Sequence, residues 1–186
     1  IFSIRVHPNP GLDPSKGRAT YLFNPTIDGI EQADALLLVG ANPRIEAAVL
    51  NARIRKRWRT GKLAIASVGD MGELRYKYDV IGAGAETMAE LADGKGKFLS
   101  VLKKAEKPMI LVGPGAIARG DGATVLALAA EIATKVGAVK DGWNGFAVLS
   151  AAASRVGGLD IGFVPGKGGM DTAAMLKGAE VLFLLG

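Results

Sequence analysis

ADALLLVGANPRIEAAVLNARIRKRWRTGKLAIASVGD, residues 33–70, decides the fold of this 186-residue chain. Ala35–Val39 is an unbroken apolar run stopped by Gly40, the pattern of a strand buried on both faces. Asn42-Pro43 ends the turn, and the spacing predicts a helix from about Arg44 to Arg57. Ile45–Val49, Leu50–Ile54 and Ile54–Trp58 form i, i+4 pairs on its apolar side, with the basic residues largely on the other. Gly61 closes the helix, and Leu63–Val68 reads as a second strand. Strand, helix and strand within about 36 residues is the size of a βαβ unit, whose crossover is right-handed in about 98% of cases.

The flanking sequence extends the pattern. Residues 1–25, with Pro8, Pro10, Pro14 and Pro25, read as an irregular entry segment, and Asp28 is expected to cap a short helix through Ala33. Residues 70–84 are weakly patterned. Helices are predicted at Glu86–Ala92 and Phe98–Lys104. Pro108 breaks the second of these, and Met109–Val112 is a third strand ending at Gly113. Asp121 is expected to cap Gly122–Val136, whose stripe is Val125, Leu128, Ala129, Ile132 and Val136, with Gly137 at C′. Asn144 is expected to cap a further helix carrying Phe146, Leu149, Ala153 and Val156 on one face. Leu159–Pro165 reads as extended, Asp171 as the cap of Thr172–Lys177, and Val181–Leu185 as a fourth strand. ADALLLVG (33–40) and GAEVLFLLG (178–186) echo each other, as αβ units of a parallel sheet do without being repeats. The alternation predicts an α/β domain over 26–186: a three-layer αβα arrangement around an open, mostly parallel, Rossmann-like sheet.

Composition bounds the chemistry. Apolar residues make up 49% and charged residues 22%, an ordinary globular balance. There is no cysteine, so neither a disulfide nor a thiolate ligand for zinc or an iron–sulfur cluster can form from this chain. His7 is the only histidine. It lies in a proline-rich stretch and reads as a solvated loop residue, so a histidine-based metal centre is excluded by count. No run approaches the roughly 20 apolar residues of a membrane span, and Ile1–Val6 does not resemble a signal peptide. A first residue other than Met and a last residue directly after an apolar run suggest a fragment of a longer protein, truncated at both ends. The net charge is +5, yet residues 44–62 hold seven bases against the one acid Glu46, which leaves −1 for everything else. The basicity is one patch.

Gly40-Ala41-Asn42-Pro43 follows a strand and opens a helix, which is where open α/β sheets bind ligands and where helix amides favour anions. Glycine can equally serve only the turn, with Asn42 as a cap. Neither G-x-G-x-x-G nor a P-loop signature is present. Gly113-Pro114-Gly115 is a similar turn, weakened as a phosphate cradle because proline has no amide donor. Gly166-Lys167-Gly168-Gly169 reads as a plain loop with one cation. The run Arg53, Arg55, Lys56, Arg57 and Arg59 can be a solvated face, a protein-docking surface or a nucleic-acid contact. Aromatic interleaving is confined to Trp58, and no recognised nucleic-acid fold surrounds it. Asp70 and Glu73 flank the end of the second strand, but no carboxylate pair is placed for acid–base work. The stretch Arg75-Tyr76-Lys77-Tyr78-Asp79 reads as a layer edge. No catalytic residue and no metal ligand is assigned.

Three stretches resemble one family. They are YLFNPTIDGIEQADALLLVGANPRIEAAVLNARIRKRW (21–58), AEKPMILVGPGAIARGDGATVLALAAEI (105–132) and GWNGFAVLSAAASRVGGLDIGFVPGKGGMDTAAMLKGAEVLFLLG (142–186). Together they are similar to the large iron–sulfur subunit of NADH:quinone oxidoreductase, respiratory complex I, of alphaproteobacterial or mitochondrial type. Residues 1–11 are not placed by it. The resemblance implies the C-terminal, molybdopterin-oxidoreductase-like region of that subunit, with iron–sulfur clusters only in an N-terminal region outside this chain. In molybdenum relatives a strand–G-x-N-P–helix unit helps to hold a pterin dinucleotide, and the next strand commonly ends in Asp-Pro-Arg. Gly40, Asn42 and Pro43 match the first part, so the resemblance makes Gly40, Asn42, Pro43 and Arg44 a vestigial cofactor edge. Val68-Gly69-Asp70-Met71 departs from the second part. The implied role is a non-redox structural part of the peripheral arm with no cofactor of its own. It would contact other peripheral-arm subunits but no nucleic acid, and would sit without membrane insertion at the cytoplasmic face of a bacterial inner membrane or on the mitochondrial matrix side. Arg53–Arg59 is the expected docking face. Two other readings are an active molybdopterin-dinucleotide oxidoreductase fragment and, from Lys107–Gly115, the central domain of a thiamine-diphosphate enzyme.

Overall fold

The structure, a computed structural model, describes residues 12–150, 152–165, 169–170, 172–181 and 183. Strand β1 (Ala35–Val39) lies at its centre, with all five residues buried. It pairs in parallel with β2 (Ala64–Val68) on one side and with β4 (Pro108–Val112) on the other. β3 (Asp79–Gly82) lies outside β2, and β7 (Phe146–Val148) outside β4. The sheet order is β3-β2-β1-β4-β7, every pairing parallel. A separate two-residue hairpin joins β5 (Val139–Lys140) to β6 (Trp143–Asn144). The expected αβα architecture is therefore the observed one.

Strand alternation sorts the core into two layers. Leu36 and Leu38 of β1 pack in one cluster with Ile30, Ile65, Met109, Leu111 and Trp143, and with Ile54 of helix α3 (Ala48–Trp58). Ala35, Leu37 and Val39 pack in the other. Their neighbours come from α4 (Gly84–Ala92), α5 (Lys97–Lys104) and α7 (Gly122–Lys135), through Met88, Leu91, Leu102, Val125, Ala129 and Ile132. The chain leaves β1 toward β2 over the first face and returns from β3 to β4 over the second. Right-handed crossovers demand that exchange of faces. The direction reverses between β1 and β4, which makes that seam the topological switch point of the sheet.

Several expectations are corrected. The helix from Arg44 to Arg57 is two helices, α2 (Pro43–Glu46) and α3, because Ala47 is non-helical at φ −154°, ψ 68°. Ile45 and Val49 are 81% and 66% exposed, while Ile54 stays in the core and Leu50 and Trp58 pack against it; at about 100° per residue Val49 lies roughly 140° round α3 from Ile54 and cannot share its face. Asp28 caps nothing: the short helix α1 (Thr26–Gly29) starts on Pro25, and the Thr26 hydroxyl accepts the Gly29 amide at 3.2 Å. Asp121 precedes α7 but gives its carboxylate to Arg119 rather than to the helix amides. The helix expected after Asn144 is replaced by strand β7. Asn144 Oδ1 accepts the Phe146 amide at 3.1 Å, and Phe146–Val148 pair with Ile110–Val112. β3 emerges from the weakly patterned stretch because β2 offers it an edge.

Helix α8 (Arg155–Asp160) runs into the span expected to be extended, and Ile161-Gly162 turns the chain after it. Asp160 anchors α8 to the entry segment: it accepts two bonds from the Arg18 guanidinium, both 2.9 Å, and one from Tyr21 Oη at 2.8 Å. That segment also crosses β7, where Phe23 bridges Ala147 antiparallel and the Val148 amide reaches Leu22 O at 2.9 Å. Helix α9 (Thr172–Gly178) forms as expected. His7, Gly166-Lys167-Gly168 and Asp171 lie outside the described residues, as does most of Val181–Leu185. The two described members of that run, Val181 and Phe183, are exposed and belong to no strand. Among the described residues no helix is long and apolar enough to cross a membrane.

Candidate functional site

The C-terminal edge of the sheet carries a cleft of about 350 Å³ beside the switch point, lined in part by Asn42, Glu46, Gly69, Asp70, Gly84 and Arg119. It grows from the exits of β1, β2, β3 and β4. Gly40 leaves β1 at φ +53°, a left-handed conformation that favours glycine. Its missing side chain also lets a neighbour in: a Cβ there would lie 2.4 Å from Ala116 N, at the start of helix α6 (Pro114–Ile117). The reverse contact is as close, since a Cβ on Gly113 would lie 2.4 Å from Ala41 Cα, and one on Gly115 2.8 Å from Gly40 O. The two turns therefore lie backbone against backbone across the seam.

The first turn of α2 satisfies itself. Asn42 Oδ1 accepts the Ile45 amide at 3.3 Å, and Asn42 Nδ2 donates to Met71 O at 2.8 Å. The Asn42 amide donates to the Glu46 carboxylate at 3.0 Å. Partial burial raises the Glu46 pKa against the lowering effect of that bond. Across the cleft Asp70 accepts the Gly72 amide at 2.8 Å and contacts Tyr78 Oη at 2.9 Å, and these bonds hold its pKa below the ordinary value. Burial raises the pKa of the Tyr78 hydroxyl. Arg119 is engaged by Asp121 through two bonds of 2.7 and 2.9 Å.

Of the four residues expected at a cofactor edge, Gly40 and Asn42 line the cleft. Pro43 is buried at the first position of α2. Arg44 turns away to Glu73, reaching its carbonyl at 2.8 Å and its carboxylate at 2.5 Å. Glu46, Gly84 and Arg119 escape the sequence reading. For Gly84 the signal is a glycine two residues after a short strand, legible only once β3 is recognised.

The basic run is divided in use. Arg53 and Lys56 both pair with Glu31, and Arg57 Nε donates to Ala33 O at 2.7 Å. These three fasten α3 to the segment leading into β1. Arg55 and Arg59 are exposed and make no side-chain hydrogen bond or ion pair among the described residues. Lys56 first and Arg53 second hold the Glu31 carboxyl below its ordinary value of 4.5. A depressed carboxylate contributes stability that is present above its unfolded pKa and lost as pH falls through its folded one. The melting temperature of the chain should therefore fall as the medium is acidified below 4.5. In Glu31→Gln that part of the acid sensitivity should be missing, and the curve at neutral pH should sit lower. Superimposable pH profiles would show that the corner contributes nothing.

An anionic pterin dinucleotide can be tested against this edge. Its pyrophosphate needs free amide donors and cations, and space for the backbone to approach. Here the Asn42 and Ile45 amides are taken, and the chain's own Glu46 carboxylate holds the position an anion would use. The seam is closed by the Gly40–Ala116 and Gly113–Ala41 contacts. Two carboxylates face the cleft against one guanidinium that is already paired. The residues present do not fit the group.

The fold and this cleft place the chain in a known class: it belongs to the molybdopterin oxidoreductase family, whose family model matches residues 4–186. The thiamine-diphosphate reading of Lys107–Gly115 gives way to that membership. Within the class the chain is similar to the G subunit of the NADH-quinone oxidoreductase of Rickettsia conorii, with 44% identity over 169 residues, 91% of this chain and 24% of that protein. The corresponding G subunit of Rickettsia bellii is 44% identical over 170 residues, 91% of this chain and 24% of the relative. The mitochondrial NADH dehydrogenase [ubiquinone] iron-sulfur protein 1 of Solanum tuberosum is 37% identical over 181 residues, 97% of this chain and 23% of the relative. The chain spans about a quarter of the length of these curated relatives.

Proposed function

We propose that this chain is the molybdopterin-oxidoreductase-like part of the large iron–sulfur subunit of an NADH:quinone oxidoreductase, and that it acts there as a scaffold without a cofactor of its own. The observation that carries the reading is the self-filled ligand edge: the Glu46 carboxylate on the Asn42 amide, beside two glycine turns in backbone contact. The similarity to NADH-quinone oxidoreductase subunits over most of the chain supplies the assembly. With no cysteine in the chain, electrons pass through clusters held elsewhere in the subunit, and this part supports that region. It contacts other peripheral-arm subunits and sits peripherally at the cytoplasmic face of a bacterial membrane or on the matrix side of a mitochondrial one.

The test is affinity isolation of the full polypeptide from detergent-solubilised source membranes. The preparation is assayed for NADH oxidation, for flavin and iron–sulfur subunits, and for molybdenum and guanine nucleotides. Expected is co-purification with NADH dehydrogenase activity and less than stoichiometric molybdenum. A polypeptide that emerges alone overturns the assembly. One that carries a molybdopterin dinucleotide overturns the scaffold and makes the chain part of an active molybdenum enzyme.

A further inference from the structure

Helix α3 presents two different surfaces. Ile54 is buried against the sheet, and Leu50 and Trp58 pack beside it. On the outer side Ala48, Ala52, Arg55 and Arg59 recur at i, i+4, i+7 and i+11, and Val49, three residues before Ala52, borders that stripe. All are exposed. Ile45, in the turn before, is 81% exposed, and Val49 66%. Branched aliphatic residues so open to water are an unmet hydrophobic surface. At about 100° per residue Val49 lies roughly 140° round α3 from the buried Ile54, so it faces outward by its place in the helix itself.

The charge on that stripe is unmet as well. Four of the seven bases between 44 and 62 are engaged inside the chain: Arg44 by Glu73, Arg53 and Lys56 by Glu31, and Arg57 by Ala33 O. The one acid of the segment, Glu46, is bonded to the Asn42 amide. Arg55 and Arg59 have no partner among the described residues, so the outer stripe runs from an apolar end into two free guanidinium groups. An apolar anchor beside arginines is the composition of a protein-binding surface core and its rim. A nucleic-acid single strand would stack on an aromatic platform, and Trp58 is committed to Tyr76, with ring centroids 6.5 Å apart; a duplex would draw on a wider set of free cations than Arg55 and Arg59 offer on this stripe. A membrane surface would need a wide apolar face rich in Trp, Phe or Leu, whereas the exposed apolar residues here are Ile45 and Val49 alone, and Leu50, Ile54 and Trp58 pack inward.

Resting on the reading proposed above, we infer that the outer face of α2 and α3, Ile45 and Val49 with Arg55 and Arg59, seats an acidic protein segment from a neighbouring subunit, with an apolar residue flanked by carboxylates. Arg53, Lys56 and Arg57 hold the helix in place and do not themselves bind the partner. Charge attraction across such a contact weakens with salt.

The test uses the full polypeptide in its native assembly, with a photoreactive amino acid at Ala52. Irradiation is expected to link it to an aspartate- or glutamate-rich segment of another subunit. Links to lipid or nucleic acid, or no link above that from a probe at Lys103 on α5, overturn the inference. In parallel, Arg55→Glu with Arg59→Glu should lower recovery of NADH dehydrogenase activity with the tagged polypeptide at least tenfold, while Arg55→Lys with Arg59→Lys retains it. An unchanged melting temperature of the purified double variant excludes misfolding. Full recovery with the charge-reversed variant, when wild type also recovers the activity, sinks the docking face alone. No recovery with wild type sinks the assignment to the oxidoreductase and the docking face with it.

Discussion

Gly113→Ala is expected to destabilise the chain by overpacking the seam between the β1 and β4 exits. Gly113 sits at φ −104°, which alanine adopts freely, so backbone conformation contributes nothing to the cost. The added Cβ would meet Ala41 Cα at 2.4 Å and Gly40 O at 2.5 Å, and both are main-chain atoms that cannot swing aside. Overpacking of this kind costs roughly 1–3 kcal/mol, and the rigid neighbours place it at the upper end. Gly61→Ala is the control. It has φ +72° and nothing within 4 Å of the added carbon, so it bears only the left-handed strain, about 1 kcal/mol. Urea denaturation of both variants decides the matter. If Gly113→Ala is no worse than Gly61→Ala, the two strand exits are not in contact, and the seam is open to a ligand after all.

Trp143→Ala should cost about 3–5 kcal/mol, the range for removing a buried large aromatic. The ring is 7% exposed in the cluster that also holds Met109 and Leu111. Its Nε1 donates to Pro108 O at 2.9 Å, and Lys107 Nζ lies 5.3 Å from the ring centroid. The residue thus covers the start of β4 with apolar area, a hydrogen bond and a cation contact at once. Trp143→Phe keeps most of the area and loses the donor, so about 1 kcal/mol is expected from it. Thermal or urea unfolding read by far-ultraviolet circular dichroism would separate the two. Equal losses for the two variants would mean that the hydrogen bond, not the packing, carries the effect.

The buried centre of the sheet was legible because local pattern and tertiary environment agree there. Ala35–Val39, Leu63–Val68 and Met109–Val112 are apolar on both faces and end at glycines, and each became a strand within one residue of its expected bounds. The edges were not, because an edge strand is made by its neighbour. Asp79–Gly82 has no strand pattern until β2 supplies a ladder, and Phe146, which falls at helical spacing with Leu149, Ala153 and Val156, is drawn into a strand by pairing with β4. The site was legible in half. Gly40 and Asn42 announce themselves by following a strand. Glu46 reads as an ordinary residue of a helical first turn until the Ala47 break leaves α2 a single turn whose first amide it bonds. The basic run was visible as composition, but nothing in the spacing tells that Glu31, more than twenty residues upstream, takes two of its cations.

The two rims of the sheet are treated differently. Strand β7 is overlain by the entry segment through Phe23 and Leu22, and Asp160 with Arg18 pins that cover in place. Among the described residues nothing pairs with the outer side of β3, where Val80 is 54% exposed and the register with β2 shifts between Ser67 and Val68. Among the described residues the sheet thus keeps one open side for an added strand, that of β3. The irregular register and Asp79 at the start of that strand make an accidental guest a poor match. A strand added on that side would lengthen the sheet past β3 and leave the β1–β4 seam where it is.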